Sequence, residues 1–252
     1  MTSKGWIIFI SIVVLAIGGA VYVSRESKQS LGANVDINAV QQASTESGNV
    51  ADYSYGTGTK VTLIEYGDYQ CPGCSSAAPI MSQLKEKYKD QLTFVFRNKL
   101  MSYHQNARAA ASFAEAANQQ GKYWEMHTKL YENQNLWEGL SAGNERTEYF
   151  ANLIREIGGD PDKAKSVVES DEIAQKLKYD EALAAKHGVT GTPSFYLNGK
   201  DVGSIYTLDG KIVPKGTTNS SGTAAQLAWS SLEDFDKLVL QPAFKEAGLT
   251  IE

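Results

Sequence analysis

The first pattern in the chain is a long apolar run near its start. Trp6 to Val23 are 18 residues without a charged side chain. As a helix they would extend about 27 Å at 1.5 Å per residue, close to the hydrocarbon thickness of a bilayer. We therefore predict a retained transmembrane helix, with residues 1–24 as a membrane anchor. The alternative is a cleaved signal peptide ending near Gly18-x-Ala20, although the apolar region of such peptides is normally only ~7–15 residues long.

The next segment is polar and shows no sustained periodicity. Ser24 to Asp52 is rich in Ser, Gln, Asn and Gly and contains no aromatic residue. Such a segment buries too little apolar surface to offset the entropy lost on ordering. Residues 25–52 are accordingly predicted to be a flexible linker, with a helix through Val35 to Gln42 as the alternative, and residues 53–252 are predicted to be the globular domain.

Beyond residue 53 the apolar positions change between strand and helix patterns. Val61 to Tyr66 and Leu92 to Arg97 are predicted strands, and Ala77 to Lys89 between them carries apolar residues at helical spacing. Because a helix crosses between the two strands, we expect them to be parallel. Helical patterns then fill residues 103–188, and a strand at Ser194 to Leu197 follows.

The end of the chain predicts further short elements. Asn198-Gly199 is typical of a tight hairpin turn after the last strand. Ser204 to Leu208 and Lys211 to Val213 suggest a second hairpin, for which the sequence gives no functional interpretation. A final helix is expected from Ser231, and Pro242 is expected to kink or end it.

Composition and charge exclude one class of partner. The chain has 29 acidic and 24 basic residues, a net charge of −5, and no block of basic residues. Binding to a phosphate backbone depends on clustered Lys and Arg, so we exclude nucleic acid as the main partner.

The candidate chemistry lies in Cys71-Pro72-Gly73-Cys74, which contains the only two cysteines of the chain. Cys71 is expected at a strand-to-helix turn, where the partial positive charge of the helix N-terminus favours a thiolate. A structural disulfide is an alternative, but so short a loop constrains the unfolded chain little. A zinc site is another, but there is no second C-x-x-C and the histidines show no ligand-like spacing. We favour redox chemistry and expect no metal.

The strand, the C-x-x-C motif and the helix are followed about 120 residues later by Val189-Thr190-Gly191-Thr192-Pro193-Ser194-Phe195. This arrangement resembles the thioredoxin superfamily and, because of the long gap, the DsbA-like thiol–disulfide oxidoreductases. The resemblance covers roughly Val61 to Gly199. It implies an α/β thioredoxin fold with an inserted helical subdomain, which the transmembrane helix and linker would precede.

The resemblance also implies roles for further residues. Glu65 would be buried beneath the active site and accept the proton of Cys74, the alternative being an ordinary surface ion pair. Pro193 would be cis, so that the Thr192 backbone could pair with a substrate chain beside Cys71. His104 would lie near the active site, where it could tune a thiolate or merely begin a helix. For His127 we expect a core role.

The implied function is oxidation of exported proteins that have free thiols. Exchange would pass through the Cys71–Cys74 disulfide without a cofactor, and a membrane-bound oxidase would re-oxidise the pair. We expect a monomer in the cell membrane, with its catalytic domain on the extracytoplasmic side. Strongly oxidising relatives usually have a histidine where this chain has Gly73. A reductase or isomerase of the same fold, or a redox-inert peptide-binding module, therefore remain alternatives.

Overall fold

The centre of the domain is a pair of almost fully buried parallel strands. The computed structural model describes residues 31, 35–44 and 50–251, and the predicted anchor at residues 6–23 lies outside them. In this described part, no helix has both the length and the apolar character needed to cross a bilayer. β2 (Val61–Gly67) pairs with β3 (Leu92–Asn98) in parallel, from Val61 opposite Leu92 to Gly67 opposite Asn98. The predicted parallel pairing is confirmed.

Three shorter strands, β1 (Ser54–Tyr55), β4 (Ser194–Leu197) and β5 (Lys200–Asp201), complete the main sheet in the order β1-β3-β2-β4-β5. β1 adds to one edge, and β4 runs antiparallel to β2. β5 pairs with β4 through the hairpin that Asn198-Gly199 predicts. Both central strands end at the same edge, so the loops that follow them meet there.

Helix α1 (Pro72–Lys87) connects the two parallel strands and begins immediately after Cys71. It begins at the strand-to-helix turn predicted for Cys71, and Pro72 occupies its first turn, where no backbone donor is needed. Its buried face includes Met81 and Leu84 and packs on one side of the sheet.

The predicted helical insertion is present between β3 and β4. Its longer helices pack on one another and on α1 around a single apolar core that also contains the cysteines. The six helices described there are α2 (Ala107–Asn118), α3 (Tyr123–Glu132), α4 (Gln134–Trp137), α5 (Asn144–Glu156), α6 (Pro161–Val167) and α7 (Asp171–Lys186).

Part of the predicted flexible linker is packed against the domain. Residues 35–44 and 50–52 lie over the side of the sheet that faces away from α1, where alternate residues of β2 and β3 point. They cover a second apolar cluster, whose buried members are Val50, Ile64, Tyr66, Val95, Tyr179, Leu183, Ala184 and Val189. For these residues the linker prediction is corrected.

The physical reason is a buried guanidinium. Arg97, on β3, is fully buried and donates to the carbonyl oxygens of Ile37 and Ala39 at 2.6 and 2.8 Å. It also forms an ion pair with Asp52 at 2.7 Å, with neither side chain exposed. A charge buried without such partners would be very costly, so Arg97 helps to order this polar segment. The few apolar residues of the segment, Val35, Ile37, Val40 and Val50, contribute by packing on the second apolar cluster.

More charged groups lie beside this ion pair. The Lys176 ammonium is 2.6 Å from Asp180 and 4.0 Å from Asp52, and all three residues are buried. Asn98 donates to Asp180 at 2.9 Å and to Glu115 at 3.1 Å. These residues join α2, α7, β3 and the packed linker, and we call the five charged ones, Asp52, Arg97, Glu115, Lys176 and Asp180, the charge cluster.

The chain ends in a small second sheet and a helical segment. Strands β6 (Tyr206–Leu208) and β7 (Lys211–Val213) form the predicted second hairpin. β8 (Gln226–Leu227), which was not predicted, pairs with β6 and completes an antiparallel sheet in the order β7-β6-β8. A 3-10 turn (Ala228–Ser230) leads to α8 (Leu232–Asp234), a π-helical stretch (Phe235–Leu240) and α9 (Gln241–Glu246). Pro242 lies in the first turn of α9 and does not end the helical segment.

Candidate active site

Cys71 occupies the N-cap position of α1. Its backbone is extended (φ −74°, ψ 123°), its N–H donates to Asp68 O at 3.0 Å, and its carbonyl accepts from Ser75 N at 3.0 Å. Cys71 is 8% exposed, whereas Cys74, one turn into the helix, is 0% exposed. Both are free cysteines, and only the first has any access to solvent.

The two thiols have opposite acidities. A hydrogen bond from the Cys74 thiol, helped by Thr192 and the backbone N–H groups of Cys74 and Gly73, lowers the pKa of Cys71 to about 5 against the opposing effect of burial. Burial raises the pKa of Cys74 well above its ordinary value. At neutral pH Cys71 is therefore a thiolate and Cys74 a thiol, which is the arrangement that a nucleophile and its resolving partner require.

Pro193 and Thr192 lie against this pair. The Thr192–Pro193 peptide bond is cis, as the resemblance implied, and the Cys71 thiol is 3.4 Å from the Thr192 carbonyl oxygen. A Cβ atom on Gly73 would be 3.1 Å from Pro193 Cδ and 3.7 Å from Cys71 Sγ. Gly73 thus allows the start of α1 to lie close to Pro193. The residues predicted from the sequence for this site, Cys71, Thr192 and Pro193, therefore lie together.

Glu65 lies inside the sheet beneath the thiols. It is 1% exposed, pairs with Phe195 of β4, and its Oε1 finds no hydrogen-bond partner in the described part of the chain. Burial raises the pKa of Glu65 to about 8, against the attraction of Lys85. The surface ion pair that we considered as an alternative is wrong for this residue.

Lys85 is a residue that the sequence analysis missed. It lies on the buried face of α1 with 6% exposure, and its ammonium is 4.4 Å from the ring centroid of Trp124, 4.8 Å from Tyr55 and 5.9 Å from Phe94. Burial lowers the pKa of Lys85 to about 8, while Glu65 opposes that shift. A signal was available, because Lys85 follows Met81 by four positions on the apolar stripe of the helix.

Asp68, also missed, orders the loop between β2 and Cys71. It is fully buried, and its carboxylate accepts from Gln70 N at 2.7 Å, Met101 N at 2.8 Å and His104 Nδ1 at 2.9 Å. His104 therefore reaches the loop that carries the nucleophile, while its tuning of the thiolate stays a prediction. Its partner there is Asp68.

The other two histidines, His127 and His187, have tyrosine hydroxyls rather than the two thiols as partners. His127 is buried among aromatic rings, its Nδ1 is 3.1 Å from the Tyr69 hydroxyl, and burial lowers its pKa well below the ordinary value. The predicted core role is confirmed. His187 contacts Tyr66 at 3.1 Å on the other side of the sheet. Within the described ranges, no group of three or more His, Cys, Asp or Glu side chains could hold a metal ion.

Comparison with known proteins identifies relatives of this domain. Residues 50–210 match a family model described as thioredoxin. A thioredoxin-like oxidoreductase from Silicibacter pomeroyi is 26% identical, covers 78% of this chain and 92% of its own, and superposes with a TM-score of 0.51. Oxidised BdbD from Bacillus subtilis is 20% identical, covers 83% and 98%, and gives a TM-score of 0.56.

A curated relative belongs to a different class of protein. The Na(+)/H(+) antiporter NhaA 1 of Salinispora arenicola is 31% identical over 150 residues, which are 59% of this chain. The chain spans only about a fifth, 22%, of the length of that antiporter.

Proposed function

This chain belongs to the thioredoxin family, and we propose that it is a DsbA-like protein thiol–disulfide oxidoreductase that works as an oxidant, introducing disulfides into exported proteins through Cys71 and Cys74. The observation that carries the proposal is the unequal acidity of the two thiols. A pKa of about 5 at Cys71 means that the reduced enzyme is stabilised as a thiolate at neutral pH. Whatever stabilises the reduced form makes the disulfide form a stronger oxidant.

The exchange requires no cofactor. A substrate thiolate attacks Cys71 Sγ of the Cys71–Cys74 disulfide, so that the bond between the two enzyme sulfurs breaks and Cys74 leaves with the electron pair. A second substrate thiolate then attacks the substrate sulfur of the mixed disulfide and expels Cys71 as a thiolate. Two substrate thiols have lost two electrons, and the enzyme pair has gained them.

Glu65 is the group that exchanges the proton with Cys74, and Lys85 tunes the acidity of Glu65. Cys74 is buried, so it leaves as a thiol only if a proton reaches it, and it must lose that proton before it can attack in the reverse step. Glu65, with a pKa of about 8, holds a proton at neutral pH and can exchange it, and Cys74 is close enough for the two groups to interact electrostatically. The positive charge of Lys85 lowers the pKa of Glu65 and so partly offsets the effect of burial.

The substrates proposed are polypeptides rather than small thiols. Tyr103 and Leu136 are exposed by 70% and 57%. Tyr103 precedes His104, which contacts Asp68, and Leu136 lies two positions after Gln134, which contacts the Cys71 carbonyl. Exposed apolar side chains on segments that contact the nucleophile's loop suit a substrate chain that has not yet buried its own apolar residues. The Thr192 backbone would pair with that chain beside Cys71.

The proposed cellular setting follows from the apolar run at residues 6–23. We propose a single membrane anchor, a catalytic domain on the extracytoplasmic side, and re-oxidation by a membrane-bound oxidase. The working form is proposed to be a monomer. Fractionation of the full-length protein with membranes tests the anchor, and a mature N-terminus near Val21 would contradict it.

Equilibration of the pair against glutathione buffers tests the direction of exchange. An oxidant is expected nearer −120 mV and a reductant nearer −270 mV. Gly73 favours the second candidate, a reductase, because it supplies no side-chain donor to the thiolate between the cysteines. A potential near the reductant end would therefore support the reductase, and the absence of any exchange would support a peptide-binding module.

A further inference from the structure

Residues of the helical insertion form hydrogen bonds to each residue of the segment 68–71, which ends in the nucleophile Cys71. The Tyr131 hydroxyl donates to Asp68 O at 3.4 Å, and Asn106 N donates to the Gln70 side chain at 2.6 Å. Gln134 completes the set, since its amide contacts the carbonyls of Tyr69 and Cys71. The backbone from residue 68 to residue 71 is thus fixed from outside the thioredoxin core.

Gln134 makes the most direct of these contacts. Its Nε2 is 2.7 Å from Tyr69 O and 3.0 Å from Cys71 O, so both amide hydrogens are used. The side chain is buried, with 7% exposure. The Cys71 carbonyl also accepts the first helical bond of α1, from Ser75 N at 3.0 Å. Gln134 therefore donates to the same Cys71 carbonyl that accepts the first hydrogen bond of α1.

The position of Gln134 is itself fixed. It is the first residue of α4, and Trp137 at the other end of that helix is fully buried. The Trp137 indole donates to Leu130 O at 2.8 Å, and its ring centroid is 5.3 Å from that of Phe150. Anchored by this tryptophan, α4 presents the Gln134 amide as a rigid donor rather than as a mobile side chain.

We propose that Gln134 is a positioning residue of the exchange reaction, which holds the Cys71 backbone so that the thiolate meets its hydrogen-bond donors. The proposal rests on exchange at Cys71 as described above. The donors are the Cys74 thiol, the Thr192 side chain and the backbone N–H groups of Gly73 and Cys74, all on α1 or next to Pro193. Their benefit depends on where Sγ lies, and Gln134 fixes the main chain on both sides of Gln70.

The test is Gln134→Met, which keeps the length of the side chain and removes both donors. Two buried carbonyls then lose a partner, so the loop is expected to relax away from its present geometry. We expect the pKa of Cys71 to rise by roughly one unit, a tenfold loss in thiolate stabilisation. The pH dependence of alkylation by iodoacetamide, measured on the reduced full chain, reports this value without any substrate, because Cys74 is buried.

A matched control lies in the packed linker, on the other side of the sheet. Gln41 is also a buried amide, 8% exposed, and its Nε2 donates to the carbonyls of Asp36 at 2.6 Å and Ala39 at 2.7 Å. Gln41→Met removes these two bonds but leaves the Cys71 carbonyl untouched. It should lower the free energy of unfolding as Gln134→Met does, yet leave the pKa of Cys71 within about 0.3 units.

Equal shifts in the two variants, or no shift with Gln134→Met, would overturn the proposal. If Gln134→Met does not fold, Gln134→Asn retains the amide but is too short to reach both carbonyls, and it should shift the pKa in the same direction by less. A parent enzyme whose Cys71 has an ordinary thiol pKa would instead contradict the proposed function. The two failures are therefore distinguishable.

Discussion

Two groups of buried charges lie on opposite sides of the central sheet, and they are held in different ways. On the side away from α1, Arg97 meets Asp52 and Lys176 meets Asp180 at hydrogen-bonding distance. On the α1 side, the Lys85 ammonium faces aromatic rings and one oxygen of Glu65 is unpaired among the described residues. The pairs Arg97–Asp52 and Lys176–Asp180 support the fold, whereas Glu65 and Lys85 have pKa values of about 8, where a proton can be exchanged.

The largest expected effect comes from breaking a pair in the charge cluster. Arg97→Met leaves Asp52 buried without its guanidinium partner. It also removes the hydrogen-bond donors of the Ile37 and Ala39 carbonyls in the packed linker. We expect the free energy of unfolding at pH 7 to fall by about 3–5 kcal/mol, as measured by urea titration. Arg155→Met, which removes an exposed arginine, is the control and should change stability by less than about 0.5 kcal/mol. A similar small effect of Arg97→Met would mean that the cluster does not hold the fold.

Glu65→Gln is expected to slow exchange while stabilising the protein. The folded pKa of about 8 exceeds the ordinary value of 4.5, so folding costs free energy above pH 4.5, increasingly until pH 8. The glutamine removes this cost, and the variant should gain stability over the parent as pH rises through that window. Resolution of mixed disulfides should be roughly 10²-fold slower in stopped-flow assays. A rate equal to that of the parent from pH 6 to 9 would exclude the proton-transfer role.

Lys85→Met tests whether the two titrating groups act together. Lys85 lowers the pKa of Glu65, so its removal should raise that pKa above about 8 and displace the pH–rate profile of resolution to higher pH. Lys89→Met changes an exposed lysine at the end of the same helix region and should leave the profile in place. An unchanged profile in Lys85→Met would separate Lys85 from the chemistry.

The smallest effect is expected at Glu115, a second buried glutamate. Burial raises its pKa to about 7, so its ionisation opposes folding between pH 4.5 and about 7. Glu115→Gln should therefore be modestly more stable than the parent above pH 7, in urea titrations, without any change in exchange rate. If Glu115→Gln slowed exchange as Glu65→Gln does, the distinction between the two groups of charges would fail.

The parts of the fold that follow from local patterns could be predicted from the sequence. The parallel strands and the helical patterns between residues 103 and 188 follow from apolar periodicity. The cis Pro193 and the burial of Glu65 were implied by the resemblance to the DsbA-like family. The packed linker could not be predicted in this way, because its order depends on Arg97, which is distant in sequence and lies on a strand that resembles any buried strand.

The missed site residues have the same explanation. Asp68 and Gln134 act through backbone groups far away along the chain, and a buried glutamine or aspartate has no local signature. Lys85 differs, because a lysine on the apolar face of a helix is itself unusual. Polar residues at core positions are thus the signal that sequence analysis should follow most closely.

Replacing each cysteine in turn tests most directly the claim that Cys71 attacks and Cys74 resolves. With Cys74→Ser the Cys71 thiolate still forms mixed disulfides, but no Cys74 thiol is left to release the bound substrate. Disulfide-linked adducts with exported proteins should therefore accumulate and disappear on reduction. With Cys71→Ser both activity and adducts should be lost, because the remaining thiol is buried and its pKa is raised. Adducts with Cys71→Ser and none with Cys74→Ser would show that the two roles are reversed.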